Sequence, residues 1–163
     1  MVSLKQRQSG FTIVELLIVI VIIGILATLV IVTFSGVQQK ARDSERKTDI
    51  NAIAGQLEAV YANKGYYPSL AQINNSAPTT WRQDNEFRID MKAFADPKNA
   101  SSQTLVAGTS PAPGTPGTDF RYYYAPTGCT GTSPDEQCTG YVLYAFMEAT
   151  SDPTKVYSRQ STN

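Results

Sequence analysis

Few side chains in this 163-residue chain are of a type that could do chemistry. The sequence contains no histidine, which removes histidine triads, histidine metal ligands and histidine general bases. Its two cysteines, Cys129 and Cys138, are too few for a four-ligand zinc site. Asp135 and Glu136 between them fall far short of the six or more oxygens that calcium requires. We therefore expect no metal site, no cofactor and no enzymatic activity.

One carboxylate stands in an unusual place. Glu15 directly precedes nineteen residues without a charged side chain, Leu16 to Phe34. A charge at the centre of a membrane helix costs about 2.5–3.5 kcal/mol on insertion scales, and less near an end. Glu15 therefore either stays at the membrane interface, solvated by headgroups, or is paired with a positively charged partner.

The uncharged run itself predicts a membrane-spanning helix. As a helix, Leu16 to Phe34 is about 28 Å long, close to the hydrocarbon thickness of about 30 Å. Lys5 and Arg7 precede it, so we expect a cytoplasmic N-terminus and translocation of everything after the run. In an oxidising compartment the two cysteines, separated by eight residues, are expected to form a disulfide.

Two other interpretations also fit basic residues followed by an apolar run. A secretory signal peptide would be removed after its apolar core. This run is long for such a core, however, and charged, helix-favouring sequence follows it without a turn. An uncleaved signal anchor shares the same pattern. The residues that distinguish these interpretations lie just before the run.

The segment from Gly10 to Val19, GFTIVELLIV, resembles the processing site and N-terminal helix of type IV pilins and pseudopilins. The resemblance implies that a prepilin peptidase cuts the Gly10–Phe11 bond on the cytoplasmic side. It also implies that the same enzyme methylates the new N-terminal residue, Phe11. Glu15 would then act in assembly, by pairing with the amino group that cleavage creates on Phe11 of a neighbouring subunit.

At two further positions the chain can be set beside the family pattern, and it matches at one of them. Gly24 matches a glycine that is common in the family's helix. Many members carry a proline about twenty residues into the mature helix, where this chain has Val32 and no proline nearby. Because a proline would kink or open the helix, its absence removes the basis for expecting a melted segment here.

Helix-compatible sequence continues beyond Phe34. Apolar residues return at helical spacing between Ile50 and Tyr61, which predicts a face that docks on a globular domain. Gly65 and Pro68 predict the end of the helix. The mixed charges at 40–49 have two interpretations, a solvated helix face or a surface that meets neighbouring subunits.

The remaining residues predict a small globular head. Aromatic and β-branched residues predict strands at 120–125, 141–147 and 155–158, and the composition of 107–118 is typical of an exposed loop. We expect an α+β fold, with a long N-terminal helix packed on a small antiparallel sheet. The predicted organisation is a leader at 1–10, a transmembrane and assembly helix at 11–34, its amphipathic continuation at 35–62, and a head at 63–163 with a disulfide-closed loop at 129–138.

These features favour a structural subunit over an enzyme. The first interpretation is a pilin that polymerises into a type IV pilus or similar filament, for adhesion, motility or DNA uptake. The alternative is a pseudopilin of a type II secretion or competence machine. A second alternative is a membrane-anchored adhesin or binding module, with its recognition surface in 107–118 or 129–138.

The resemblance also implies partners and a location. The partners would be identical or related pilin subunits, the prepilin peptidase, an inner-membrane assembly platform and, before assembly, membrane lipid. Nucleic acid would be a partner only for a DNA-uptake filament. The chain would be a single-pass membrane protein with an extracytoplasmic head, and afterwards part of an extracellular filament.

Overall fold

The computed structural model describes residues 10–74, 81–84, 86–108, 120–132, 135–149 and 156–163. The chain divides into two compact units, Met1–Gln38 and Gln39–Asn163. Most of the predicted loop 107–118 lies outside the described residues, and so does the start of the strand predicted at 155–158.

The helix α1 runs without interruption from Ile13 to Lys64. The sequence predicted a helix between residues 11 and 62, and the structure confirms it. Gly65 ends the helix with a φ of 78°, and its N–H donates to the carbonyl oxygen of Tyr61 at 2.8 Å. Glycine adopts this left-handed conformation without steric cost, which is why it so often follows a helix.

The part of α1 in the first unit presents apolar side chains to its surroundings on every face. Every large apolar side chain from Phe11 to Val37 is at least half exposed. By length and composition α1 is a candidate membrane-spanning helix, with no part of its most apolar window buried. Burying these side chains in water-free surroundings would be strongly favourable.

In the second unit, α1 contributes one face to the core. Ile50, Ile53 and Leu57 are completely buried, and Val60 is 2% exposed. Their spacing of three and four residues places them on one side of the helix. This face is the apolar stripe predicted from the sequence.

The described residues of the second unit also form six strands: β1 Tyr67–Pro68, β2 Val106–Ala107, β3 Tyr123–Thr127, β4 Gln137–Cys138, β5 Gly140–Phe146 and β6 Val156–Gln160. The larger sheet has the order β2-β3-β5-β6, and β1 pairs with β4. The antiparallel meander β3-β5-β6 confirms the three predicted strands. The sheet is mixed, because β2 pairs with β3 in parallel.

Between β1 and β2, the part of the chain that the structure describes contains three short helical elements, namely α2 Leu70–Asn74, α3 Trp81–Asp84 and a 3₁₀ helix at Met91–Phe94. Asp90 caps the 3₁₀ helix, because its carboxylate accepts from the N–H of Lys92 at 3.0 Å. Phe94 is completely buried and fixes this segment to the core.

Tyrosine supplies much of the core beneath the sheet. Tyr67, Tyr122, Tyr124 and Tyr141 are each at most 2% exposed. The ring of Tyr67 stacks on that of Tyr61 with centroids 4.6 Å apart and meets Tyr141 edge-on at 4.9 Å. Each buried hydroxyl needs a hydrogen-bond partner. Those of Tyr67, Tyr122 and Tyr141 donate to carboxylates of α1, whereas that of Tyr124 donates to the carbonyl oxygen of Pro68.

Candidate functional site

The predicted processing site lies just outside α1. Gly10 and Phe11 are exposed and have no regular secondary structure. The helix starts at Ile13, so the Gly10–Phe11 bond precedes it by two residues. A peptide bond in an irregular, exposed segment is accessible to a protease, whereas a helical one is not.

Thr12 and Glu15 define where α1 begins. The Glu15 carboxylate accepts from the N–H of Thr12 at 2.9 Å and from its hydroxyl at 2.8 Å. In return, the Thr12 hydroxyl accepts from the N–H of Glu15 at 3.2 Å. This reciprocal arrangement is a capping box. Glu15 therefore has a partner within its own chain, which the sequence interpretation did not consider.

The most buried charges in the second unit surround Arg46, whose side chain is fully buried. Its Nε and Nη2 donate to the two carboxylate oxygens of Asp96 at 2.7 and 2.9 Å. Its Nη1 donates to Asp43 at 2.8 Å, and Nη2 lies 2.7 Å from a carboxylate oxygen of Glu148. We call Asp43, Arg46, Asp96 and Glu148 the Arg46 cluster.

Two more cations complete the charge balance. Arg42 donates through Nε and Nη2 to both oxygens of Glu148, at 2.9 and 2.8 Å. The ammonium of Lys98 lies 2.7 Å from Glu148 and 4.5 Å from the ring centre of Phe120. Together with the Arg46 cluster these side chains provide three positive and three negative charges. A buried charge is tolerated only when it is paired in this way.

The pKa values of the cluster follow from these contacts. Burial acts to raise the pKa of Glu148, but hydrogen bonds from Arg42, Lys98 and Arg46 outweigh it and lower that pKa to about 2. Burial acts to lower the pKa of Arg46, but Asp96 and the other carboxylates outweigh it and raise that pKa above its usual value. Glu148 and Arg46 are therefore charged at neutral pH.

Asp43 also fixes the backbone that follows β5. Its two carboxylate oxygens accept from the N–H groups of Glu148 and Ala149, at 2.8 and 2.7 Å. The sequence predicted a solvated face or a surface for neighbouring subunits at 40–49. For Asp43 and Arg46 both interpretations are wrong, because these side chains are buried inside their own chain.

A second polar contact ties α1 to the sheet through Glu58. Its carboxylate accepts from the hydroxyls of Tyr67 and Tyr141 at 2.9 Å each and from that of Thr162 at 2.8 Å. Burial acts to raise the pKa of Glu58, but these three donors outweigh it, so the pKa is lowered. One carboxylate thus joins the helix to β1, β5 and the C-terminal residues.

Asp49 makes a contact of the same kind, with one tyrosine. It accepts from the hydroxyl of Tyr122 at 2.8 Å. Burial, together with the negative charges of Glu45 and Asp96, raises the pKa of Asp49 to about 6, although the hydrogen bond from Tyr122 opposes the shift. The charged form of Asp49 is therefore less favourable in the folded protein than in the unfolded chain.

We predict that Asp49→Asn stabilises the second unit near pH 7. Since the folded pKa is raised above that of the unfolded chain, wild-type stability falls as the pH rises from about 4 to about 6. The neutral amide can still accept from Tyr122 and removes the penalty, a gain of about 1 kcal/mol after solvent screening. Urea unfolding of the full chain at pH 4 and pH 7 measures the effect. Equal stabilisation at both pH values would contradict this explanation.

The predicted disulfide is present in the structure. Cys129 and Cys138, which lie nine positions apart in sequence, form a disulfide. Next to the disulfide, the backbone groups of Thr130 and Gln137 form two hydrogen bonds of 2.8 and 2.9 Å, which hold the two sides of the hairpin together. We call this connection from β3 to β5 the β3 hairpin. Among the described residues no group of three or more acidic or cysteine side chains could hold a metal ion.

The geometry defines a class of protein: an exposed apolar helix with a capping box at its start and an exposed Gly10–Phe11 bond before it, in a chain that also has a folded α+β unit. A family model, the prokaryotic N-terminal methylation motif, matches residues 5–31. A type II secretion system core protein G of Pseudomonas aeruginosa is 33% identical over 114 residues, which cover 64% of this chain and 78% of the relative. The chain therefore belongs to the type IV pilin and pseudopilin family.

Other relatives bear names from both branches of the family. A type II secretion system core protein G of Dickeya chrysanthemi is 30% identical over 141 residues, 81% of this chain and 86% of the relative. A type IV major pilin protein PilA of Myxococcus xanthus is 32% identical over 110 residues, 66% of this chain and 49% of the relative. No solved structure shows significant similarity.

Proposed function

We propose that this chain is a structural subunit of the pseudopilin type, which polymerises through its N-terminal helix into a secretion-associated filament. The observation that carries the proposal is the likeness to core protein G of type II secretion systems, which extends over 86% of the Dickeya relative. The comparisons thus favour the pseudopilin alternative over the pilin interpretation preferred from sequence. The exposed apolar part of α1 supports the same proposal, because side chains of this kind require lipid or other helices around them.

The proposed maturation starts from a precursor. Residues 1–10 act as a leader, and a prepilin peptidase cleaves after Gly10 and methylates Phe11. Before assembly, residues 11–34 span the membrane with the N-terminus in the cytoplasm. Residues 35–62 continue the helix outside it, and residues 63–163 form the extracytoplasmic head. The positive charges of Lys5 and Arg7 before the apolar run support this orientation.

The proposed partners follow from the same family. Related subunits pack their apolar helices against one another, which replaces lipid contacts with protein contacts. An inner-membrane assembly platform would collect the subunits. The exposed side chains Glu45 and Lys47 are available for contacts with neighbours, whereas the buried residues of the Arg46 cluster are not.

We predict that the mature protein begins at Phe11. Mass spectrometry of the membrane-extracted chain, expressed with a prepilin peptidase, should find an N-terminal peptide that starts with Phe11 and carries one methyl group. A Gly10→Leu variant is the control, since a large side chain at the cleavage site should leave the leader attached. A mature terminus beyond the apolar run would show an ordinary signal peptide and contradict the proposal.

The type IV pilin interpretation remains the second candidate, favoured by the likeness to the Myxococcus xanthus pilin. The two differ in where the filament is and what its loss causes. Deleting the gene for a pseudopilin should block export of secreted proteins and leave surface filaments unchanged. Deleting the gene for a pilin should remove surface filaments in electron micrographs. The second result would replace the pseudopilin proposal with the pilin one.

A further inference from the structure

The two cysteines of the disulfide differ sharply in exposure. Cys138 is 1% exposed and belongs to the apolar core, where it is paired with Tyr67 across β1 and β4. Cys129 is exposed at the outer end of the β3 hairpin. Thiol–disulfide exchange needs direct approach to one sulfur, along the line of the bond that forms or breaks. Access therefore distinguishes the two sulfurs.

The register of the strands also determines where the two cysteines lie. The register that pairs Tyr123 with Tyr144 and Thr127 with Gly140 also pairs Thr130 with Gln137. Cys129 and Cys138 lie opposite each other in that same register. Pairing of β3 with β5 in this register therefore suffices to place Cys129 opposite Cys138.

We propose that Cys129 is the site of thiol–disulfide exchange on this protein and that Cys138 is the resolving cysteine. During oxidation the Cys129 thiolate attacks the disulfide of an oxidant, forms a mixed disulfide and releases one thiol. The Cys138 thiolate then attacks the Cys129 sulfur, forms the internal bond and releases the second thiol. Two electrons pass to the oxidant, and the two cysteine protons end on its thiols. Reduction runs through the same mixed disulfide in reverse.

The surrounding charges define the chemistry of the partner. The segment from Gly128 to Thr139 contains Asp135 and Glu136 but no lysine or arginine. Asp135 is exposed and Glu136 is half-buried, on the same loop that the bond closes. A disulfide oxidant with a positively charged face is attracted to this loop, whereas an anionic one is repelled.

The first experiment uses the oxidised, full-length protein in detergent. Brief treatment with cysteamine is followed by acid quenching, alkylation of free thiols and peptide mapping. We expect the cysteamine adduct on Cys129 and the alkyl group on Cys138, in about tenfold or greater excess over the reverse pattern. In urea the two patterns should become similar. Equal adducts in the folded protein, or an excess on Cys138, would overturn the proposal.

The second experiment tests the charge preference. The rate of disulfide exchange with cationic cysteamine is divided by the rate of exchange with anionic 2-mercaptoethanesulfonate. This ratio is measured for the wild type and for an Asp135→Asn, Glu136→Gln double variant. At low salt we expect the wild-type ratio to be about 3- to 10-fold higher than the variant ratio, and the difference to vanish in 1 M salt. Identical ratios at low salt would refute a partner selected by charge.

Discussion

Replacing Arg46 with methionine is expected to lower the free energy of unfolding of the second unit by about 3–5 kcal/mol. The substitution removes the guanidinium that pairs with Asp96 and Asp43 and contacts Glu148. Asp96 is 1% exposed and would be left as a buried carboxylate without its cation. Methionine fills a similar volume, so the loss would reflect charge and hydrogen bonding and not a cavity.

Urea unfolding of the full chain in detergent, followed by near-ultraviolet circular dichroism of the buried tyrosines, measures this loss. Lys40→Met is the matched control, since Lys40 is exposed on the same helix and its loss changes the charge equally. It should cost less than about 0.5 kcal/mol. Arg46→Lys should recover only part of the stability, because an ammonium cannot donate to Asp96 with two parallel bonds. Equal effects of Arg46→Met and Lys40→Met would show that the cluster contributes little.

The second large effect is expected at Glu15. We predict that Glu15→Ala and Glu15→Gln both leave the membrane-bound subunit at its normal level but reduce filament yield about tenfold or more. The reason is the proposed pairing of the Glu15 carboxylate with the Phe11 amino group of a neighbour, in the water-poor surroundings of packed helices. Filament yield and subunit level are measured on the same cells.

The capping box makes the glutamine variant the informative one. Glutamine at this position can still accept from Thr12, so Glu15→Gln keeps the helix start and removes only the charge. Thr12→Ala, in contrast, weakens the cap by about 1 kcal/mol and keeps the charge. If Glu15→Gln assembled normally while Thr12→Ala did not, capping and not charge pairing would be the role of Glu15.

The parts of this fold that the sequence predicts are those with local patterns. The apolar run, the stripe at Ile50, Ile53 and Leu57, and Gly65 gave α1 within two residues at either end. Aromatic and β-branched runs gave β3, β5 and β6. The strands β1, β2 and β4 have two residues each, which is too short for any alternation to be recognised.

The Arg46 cluster could be predicted only in part. Counting back from Ile50 by four and then three residues reaches Arg46 and Asp43, so the buried stripe itself indicated that these charges face inward. Their partners could not be identified, because Asp96 lies 50 residues from Arg46 in sequence and Glu148 farther still. Such pairs depend on the tertiary fold, and no local pattern records them.

The register of the β3 hairpin also has a practical consequence. The pair Thr130–Gln137 and the bond from Cys129 to Cys138 hold the two chain segments together before the loop begins. Residues between Thr130 and Gln137 therefore do not determine how β3 aligns with β5. A short epitope tag inserted there should lengthen an already closed loop at little cost, since loop-closure entropy grows only slowly with length. This position would allow the subunit to be labelled for microscopy while α1, including its apolar part, remains unaltered.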